Sequence, residues 1–353
     1  MALLSVNNVK VSGVSACVPK NIKEVKEQKC FVSGEAEKVI ALTHVERSRM
    51  VSNGTCCSDL CQAAAEKLIA ELNWNKEEID ALVFVSLSRD YLTPATAGLL
   101  QHKLGLSKEC MAFDIPFACS GYVYGLSVLS NLVSTGCIKK ALLLVGETTS
   151  MLQSPLDKTL WPLHGDAGTA TALEYSKDAA TMYFHLGTDG SGENAIINPD
   201  GGVRNPITEE SLKMVEIEPG IARNRTHSIM DGMNVMSFSL TEPAKSVRKL
   251  CENNNLDLES IDYLLLHQAN KYIDDKISKK LKVPKDKIPF SLMQYGNTSS
   301  ASIPMTIVTA LGNKELKNKD KKVIMCGFGA GLSWGSAYVD LNNIVCPELV
   351  EID

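Results

Sequence analysis

Four short apolar segments decide the fold of this chain. IDALVFVSL at 79–87 and KKALLLVGE at 139–147 lie in the first half, and IDYLLLHQA at 261–269 and KKVIMCGFG at 321–329 lie in the second. Each segment resembles its counterpart, and the offset is 182 residues in both cases (79 to 261 and 139 to 321). All four are short and rich in Leu, Ile or Val, which is typical of strands buried on both faces. The shared offset indicates an internal duplication.

A helical pattern precedes the first strand of each half, over residues 58–72 and 241–253. Helix–strand–helix–strand order, twice over, predicts an α/β fold with two related halves. We place these halves at residues 1–175 and 176–353. Residues 176–240 carry repeated Gly, Pro and Asp turn signals, and we interpret them as the connection between the halves, with some irregular strand.

Composition excludes several classes of protein. Hydrophobic residues make up 44% and charged residues 22% of the 353 positions, as in ordinary globular chains. The net charge of −5 argues against nucleic-acid binding through bulk positive charge. The apolar runs are too short to cross a bilayer, and the N-terminal segment lacks the basic and apolar regions of a signal peptide. We therefore expect a cytoplasmic protein without a nucleic-acid or membrane partner.

The chain contains 11 cysteines, an odd number at irregular spacing. Without a secretory signal this pattern does not predict a disulfide framework. Cys56, Cys57 and Cys61 form the one tight cluster, but it lacks paired CxxC spacing and neighbouring histidines. Buried structural thiols explain it better than zinc, so we predict no metal site.

Three polar residues stand where the predicted elements meet. Cys119 in FACSG precedes a helix that runs towards Gly136, and the positive end of a helix favours a thiolate. His267 in LLLHQAN ends a predicted strand, where ligands of α/β sheets collect. Asn297 in YGNTSSASIP holds the place in the second half that Cys119 holds in the first.

Each residue taken alone also has an ordinary structural explanation. A buried core cysteine, a hydrogen-bonded core histidine and a helix N-cap would account for Cys119, His267 and Asn297 respectively. The duplication favours the functional interpretation, because it relates their positions around one pseudo-twofold centre. A nucleophilic cysteine with histidine and asparagine as hydrogen-bond donors is a coherent catalytic set.

The segment GFGAGLSWGS at 327–336 is the fourth element of this site. Its glycines follow GxGxG rather than GxGxxG, and a strand pattern follows instead of a helix. Both features disfavour a dinucleotide site and hence a nicotinamide oxidoreductase. A turn that directs backbone N–H groups at a substrate oxygen fits better.

FACSG, LLLHQAN, YGNTSSASIP and GFGAGLSWGS, in this order and spacing, closely resemble the β-ketoacyl-acyl-carrier-protein synthase III family of the thiolase superfamily. The resemblance extends from about Val11 to Leu341. It implies a thiolase-like fold, with two duplicated α/β halves and mixed sheets in αβαβα layers. It also implies an acyltransferase of fatty-acid biosynthesis that needs no cofactor and forms a homodimer.

The resemblance also implies a role for each motif residue. Cys119, in the N-terminal half, would take the acyl group from an acyl-CoA or acyl-carrier-protein thioester. The backbone N–H groups of Cys119 and Ala330 would form the oxyanion hole. His267 and Asn297, in the C-terminal half, would donate to the thioester carbonyl of malonyl-acyl-carrier protein while CO2 leaves.

Further positions follow from the same comparison. Gly329 and Phe328 would border the cysteine. Lys279 and Lys280 match a basic pair that faces the carrier protein, although a solvated helix face explains them equally well. Thr93 stands where enzymes with short acyl donors have Phe, contributed across the dimer. A smaller residue there implies a deeper pocket and an acyl group longer than acetyl.

Four positions that face CoA or the carrier protein depart from the family pattern. Lys38 and Leu42 replace a Trp and an Arg, Tyr272 replaces an Arg, and Ser237 replaces a Lys. These departures favour an alternative function, a specialised-metabolism or polysaccharide-related acyltransferase with a non-malonyl acceptor. The intact HQAN and GNTS motifs favour decarboxylative condensation, and the retained cysteine and histidine disfavour a non-catalytic partner subunit.

Overall fold

The computed structural model describes residues 2–316 and 320–353. The strands in chain order are β1 (Ala2–Val6), β2 (Val9–Pro19), β3 (Ile22–Glu24), β4 (Arg47–Arg49), β5 (Ala81–Val85), β6 (Met111–Ile115), β7 (Lys140–Glu147), β8 (Ala167–Tyr175), β9 (Met182–Thr188), β10 (Ile196–Ile197), β11 (Val215–Glu218), β12 (Ile221–Arg223), β13 (Ile229–Met230), β14 (Tyr263–Leu266), β15 (Lys322–Gly329), β16 (Ser333–Asp340) and β17 (Val350–Ile352). The helices are α1 (Glu35–Thr43), α2 (Cys57–Glu71), α3 (Thr96–Lys103), α4 (Gly121–Ser134), α5 (Gly232–Ser239), α6 (Glu242–Asn254), α7 (Lys271–Leu281), α8 (Leu292–Tyr295), α9 (Ser302–Thr306) and α10 (Gly312–Leu316).

The sequence duplication corresponds to the same strand register in both large sheets. In the sheet of order β17-β2-β8-β7-β5-β6, β5 pairs parallel to β7 with Ala81 opposite Ala141. In the sheet of order β1-β9-β16-β15-β14, β14 pairs parallel to β15 with Tyr263 opposite Val323. Both partners shift by the offset found in the sequence, so the two halves repeat the same pairing. An antiparallel strand, β8 or β16, follows in each sheet.

The elements form five layers. Helices α4 and α9 lie between the sheets, where Val123, Leu126 and Ile303 share one buried core with strands of both. Helices α2 and α3 cover the outer face of one sheet, and α6 and α7 cover the other. The close approach of α4 to β5 requires glycine at position 125, because a Cβ there would lie 2.7 Å from Val85 Cγ2. The predicted αβαβα arrangement is confirmed.

The predicted connection differs from what is observed. Residues 176–240 contain β9, an internal strand of the second sheet, and the helix α5. The turn signals obscured β9, whose run MYFHLGT is short. Each end of the chain also joins the sheet of the other half, since β1 pairs with β9 and β17 pairs with β2. The boundary between residues 175 and 176 stays a prediction.

All 11 cysteines are free thiols, and Cys57 and Cys61 are core residues of α2. Within residues 2–316 and 320–353, no group of three or more His, Cys, Asp or Glu side chains could hold a metal ion. Over the same residues, no helix combines the length and apolar character needed to cross a membrane.

Candidate active site

Cys119 lies in the turn between β6 and α4, between the two sheets. The next residue, Ser120, places its hydroxyl 2.7 Å from that of Ser333, which ties the turn to the start of β16. The Cys119 Sγ lies 3.6 Å from the hydroxyl of Ser299. The cysteine of the first half is thus held by residues of the second.

Burial raises the pKa of the Cys119 thiol to about 11, although the hydroxyl of Ser299 lowers it. The negative charge of Glu147 raises the pKa further, while hydrogen bonds from the backbone N–H groups of Cys119 and Ala330 lower it. The helix N-terminus predicted a stabilised thiolate. The structure instead favours the thiol at neutral pH, because desolvation is the largest effect.

Gly329 makes the approach of β15 to the cysteine possible. A Cβ at this position would lie 2.6 Å from Cys119 Cβ and 2.8 Å from Sγ. Real Cβ contacts are not that short, so any other residue would displace the cysteine or the strand end. The following turn joins β15 to β16 and leads into no helix, which agrees with the absence of a dinucleotide motif.

His267 follows β14 and is 2% exposed. Its Nδ1 lies 2.8 Å from the hydroxyl of Ser302, and its ring meets the Phe328 ring edge-on with centroids 5.3 Å apart. Burial lowers the pKa of His267 to about 3, and the nearby His164 lowers it further. The imidazole is therefore neutral and can donate one hydrogen bond without titrating near pH 7.

Asn297 is held by backbone contacts with the segment before β8. Its N–H donates to the Leu163 carbonyl at 2.8 Å, and its carbonyl accepts from the Gly165 N–H at 3.1 Å. The side-chain Oδ1 accepts the Ser299 N–H at 2.8 Å. This contact uses the amide oxygen, so the Nδ2 group is the donor that remains.

Two cavities adjoin at the cysteine, and both are lined by Cys119, His164, Ile196 and Met230. The first, which we call the Glu147 cavity, has a volume of about 290 Å3 and is also lined by Ser299 and Ala330. The second, the His267 cavity, has a volume of about 180 Å3. Its lining includes His267, Asn297, Phe328 and Gly329. The structure thus brings together residues from all four sequence motifs.

Sequence reasoning missed His164, which borders both cavities. Its Nδ1 lies 3.0 Å from the Leu160 carbonyl, and its own carbonyl accepts from the buried Lys23 ammonium at 2.8 Å. Lys23 also donates to the Trp161 carbonyl at 2.7 Å and so holds the whole segment. The segment WPLHGD at 161–166 shows no periodicity in the sequence. Only the tertiary contact of His164 with Asn297 shows that this histidine belongs to the site.

Glu147 was also missed, although it ends the quoted segment KKALLLVGE at the carboxyl end of a buried strand. Its carboxylate accepts from the Leu87 N–H at 3.0 Å and from the Ser88 hydroxyl at 2.6 Å. Burial raises the pKa of Glu147 to about 7 despite these hydrogen bonds. The position at a strand end was the signal that could have identified it.

The other predicted positions lie away from these cavities. Thr93 is exposed and is not among the described residues that line either one. Lys279 and Lys280 are exposed near the end of α7, where Lys280 donates to the Leu240 carbonyl at 2.5 Å. The four positions that depart from the family pattern are also exposed; they are Lys38, Leu42, Ser237 and Tyr272.

Two family models match parts of this chain. Residues 113–190 match the family model described as 3-oxoacyl-[acyl-carrier-protein] synthase III, and residues 251–341 match the model of its C-terminal part. The matched ranges contain Cys119, His267, Asn297 and the glycine turn.

Relatives extend the match over nearly the whole chain. A β-ketoacyl-[acyl-carrier-protein] synthase III of Streptococcus agalactiae is 32% identical, covering 94% of this chain and 99% of its own. One from Clostridium acetobutylicum is also 32% identical, over 94% and 98%. A crystal structure of a 3-oxoacyl-(acyl-carrier protein) synthase from Burkholderia xenovorans superposes with a TM-score of 0.93 at 36% identity, covering 99% of each chain. The chain belongs to the 3-oxoacyl-[acyl-carrier-protein] synthase III family, whose members are acyl-transferring condensing enzymes with a thiolase-like fold.

Proposed function

We propose that this protein joins an acyl group to a malonyl unit in two half-reactions that meet at Cys119. The observation that carries the proposal is the placement of this cysteine between two cavities. The backbone N–H groups of Cys119 and Ala330 lower the pKa of its thiol, and two neutral side-chain donors, His267 and Asn297, line the second cavity. Such an arrangement supplies separate oxyanion sites for acyl transfer and for enolate formation.

In the first half-reaction, Cys119 Sγ attacks the carbonyl carbon of an acyl thioester. The negative charge on the carbonyl oxygen is held by the N–H groups of Cys119 and Ala330. The C–S bond of the donor then breaks, and the proton of the cysteine thiol ends on the departing pantetheine thiol. Because the free thiol is favoured at neutral pH, this proton transfer accompanies the attack.

In the second half-reaction, malonyl-acyl-carrier protein loses CO2. The electron pair of the broken C–C bond passes to the thioester carbonyl, which becomes an enolate. His267 donates to that oxygen from Nε2, with Ser302 donating to Nδ1, and Asn297 donates from Nδ2. The enolate carbon attacks the acyl-cysteine, and the thiolate of Cys119 leaves and takes a proton from solvent. Donors that stay neutral suit this step, since neither loses its proton to the enolate.

We propose a homodimer in which residue 93 of one subunit reaches the acyl pocket of the other. Tyr91 and Leu92, which directly precede Thr93, are 61% and 81% exposed. Large apolar side chains side by side on a surface are typical of an interface. The absence of an aromatic ring at position 93 then leaves room for an acyl donor longer than acetyl.

The carrier protein would approach α7, where Lys279 and Lys280 present two positive charges to an acidic partner. The changed residues at positions 38, 42, 237 and 272 lie on surfaces that face CoA or the carrier protein in relatives. They favour the alternative, an acyltransferase with a non-malonyl acceptor.

The experiment separates the two half-reactions. The protein is incubated with acyl-CoA and acyl-carrier-protein thioesters and its intact mass is measured; malonyl-acyl-carrier protein is then added, and CO2 release and the condensed product are followed. We expect an adduct on Cys119 that Cys119→Ala abolishes. Acylation in the absence of CO2 release, with transfer to an alcohol or amine, would support the alternative.

His267→Ala and Asn297→Ala are the matched variants for the second step. Each should leave acylation of Cys119 near the wild-type rate and slow decarboxylation by roughly 10²- to 10³-fold, the scale for loss of one oxyanion donor. An adduct on another cysteine of Cys119→Ala, with normal turnover, would refute the assignment.

A further inference from the structure

The Glu147 cavity, which would receive the acyl chain, is not uniformly apolar. Leu87, Leu152 and Ile197 form part of its wall, but Gln153 and His164 also line it. Pockets for plain hydrocarbon chains avoid unpaired polar groups, because burying one without a partner costs roughly 1–3 kcal/mol. The polar lining therefore needs a partner from the ligand.

Gln153 supplies the first such group. Its side chain is 7% exposed, and its Oε1 has no hydrogen-bond partner among the described residues. An amide oxygen only accepts hydrogen bonds. Gln153 lines a cavity that reaches Cys119, and its unpartnered amide oxygen points to a ligand that donates a hydrogen bond.

His164 supplies the second group. Its Nδ1 faces the Leu160 carbonyl at 3.0 Å, and a carbonyl can only accept, so the ring proton lies on Nδ1. Burial lowers the pKa of His164 to about 4, although the Leu160 carbonyl raises it, and the Lys23 charge lowers it further. In the neutral ring Nε2 is therefore an acceptor, and no described residue donates to it.

The remaining polar groups of this cavity are already paired. Glu147 accepts hydrogen bonds from Ser86, Leu87 and Ser88. Asn198 accepts from the Ser228 hydroxyl at 3.0 Å and donates to the Thr226 carbonyl at 2.8 Å. Among the described residues of this wall, two acceptors lack a partner, Gln153 Oε1 and His164 Nε2, and the Gln153 Nε2 donor lacks one as well; a hydroxyl, which both donates and accepts, matches this set.

We propose that the Glu147 cavity selects an acyl group that carries a hydroxyl, with Gln153 Oε1 or His164 Nε2 as its acceptor. This inference rests on the proposed loading of Cys119 and deepens it by naming the substrate class. A volume of about 290 Å3 leaves room for a chain of several carbons beyond the thioester carbonyl, since a methylene occupies roughly the 30 Å3 of a water molecule. The hydroxyl would lie along this chain.

The test compares donors that differ in one group. The donors are CoA and carrier-protein thioesters of butanoyl, 3-oxobutanoyl and 2-, 3- and 4-hydroxybutanoyl groups. The initial rate of adduct formation on Cys119 is measured by intact mass. We expect at least one hydroxybutanoyl donor to load about 10-fold faster than butanoyl, equivalent to about 1.4 kcal/mol. The 3-oxo donor should load more slowly than the preferred hydroxybutanoyl donor, because a ketone can accept from Gln153 Nε2 but cannot donate to either acceptor.

Variants assign the selectivity to the two acceptors. Gln153→Leu and His164→Phe remove them one at a time, and the preference should fall to within twofold of unity in at least one variant. Because the preference is a ratio of two rates measured on the same variant, the amount of folded protein cancels from it. Gln62→Met, which changes a glutamine of α2 paired with Glu66, serves as the control and should keep the wild-type preference.

Failure of the inference and failure of the proposed function give different results. Three results would overturn the inference alone: equal loading of butanoyl and all hydroxybutanoyl donors, a 3-oxo donor that loads as fast as the preferred hydroxybutanoyl donor, or an unchanged preference in both variants. The absence of a Cys119 adduct with every donor would overturn the proposed function as well.

Discussion

Replacing Gly329 with alanine tests how closely the strand end and the cysteine are matched. The added Cβ would lie 2.6 Å from Cys119 Cβ and 2.8 Å from Sγ, whereas carbon atoms in contact prefer about 3.5–4.0 Å. Relief of this overlap requires a displacement of roughly 1 Å of the cysteine or of the following Ala330 N–H. A misplacement of this size can slow a reaction by about 10²-fold.

We therefore expect Gly329→Ala to form the Cys119 adduct about 10²-fold more slowly than the wild type, as measured by intact mass over time. Overpacking of a buried contact should also lower the free energy of unfolding by about 1–3 kcal/mol, measured by thermal and denaturant unfolding. Gly190→Ala is the control, because a Cβ there meets no atom within 4 Å and its backbone needs no positive φ. A Gly329→Ala protein that loads within threefold of the wild-type rate would refute the reasoning.

Four further outcomes are expected. Because the pKa of Cys119 is raised to about 11, its alkylation by iodoacetamide should accelerate about tenfold per pH unit between pH 7 and 10; a plateau below pH 8 would contradict this. Thr93→Phe should depress octanoyl loading and spare acetyl loading, and sedimentation should show a dimer. Equal effects on both donors, or a monomer, would contradict the proposal that residue 93 reaches the acyl pocket of the other subunit. Lys279→Glu with Lys280→Glu should raise the KM for the carrier-protein substrate several-fold without changing loading from CoA, and an unchanged KM would favour the solvated-face interpretation. Lys23→Met leaves two buried carbonyls without a donor and should lower the unfolding free energy by about 2–4 kcal/mol in denaturant titrations, whereas a change below 0.5 kcal/mol would contradict the role assigned to this ammonium.

The duplicated strands show how far local sequence carries the fold. The segments at 79–87 and 261–269 are continuous apolar runs, and a strand buried on both faces needs such a run wherever it occurs in a chain. The common offset then predicted that both halves pair alike, and the identical register of β5 with β7 and of β14 with β15 follows from it. By contrast β9 was missed, because its neighbours are turn residues and its place in the sheet depends on pairing with β1 and β16.

The candidate site likewise contains residues that the sequence identifies and residues that only tertiary contacts identify. Cys119, His267 and Asn297 could be identified from the chain alone, because each stands in a distinctive motif at the end of a predicted element. The approach of Gly329 to the cysteine and the positions of His164 and Gln153 could not, since they depend on contacts between segments far apart in sequence. The pKa of Cys119 belongs to this second group: the helix N-terminus is a local feature, but the burial that outweighs it exists only once both sheets enclose the thiol. Local patterns therefore determined which elements and which candidate nucleophile this protein has. Long-range packing decided their environment, because desolvation and steric contact are properties of the assembled core.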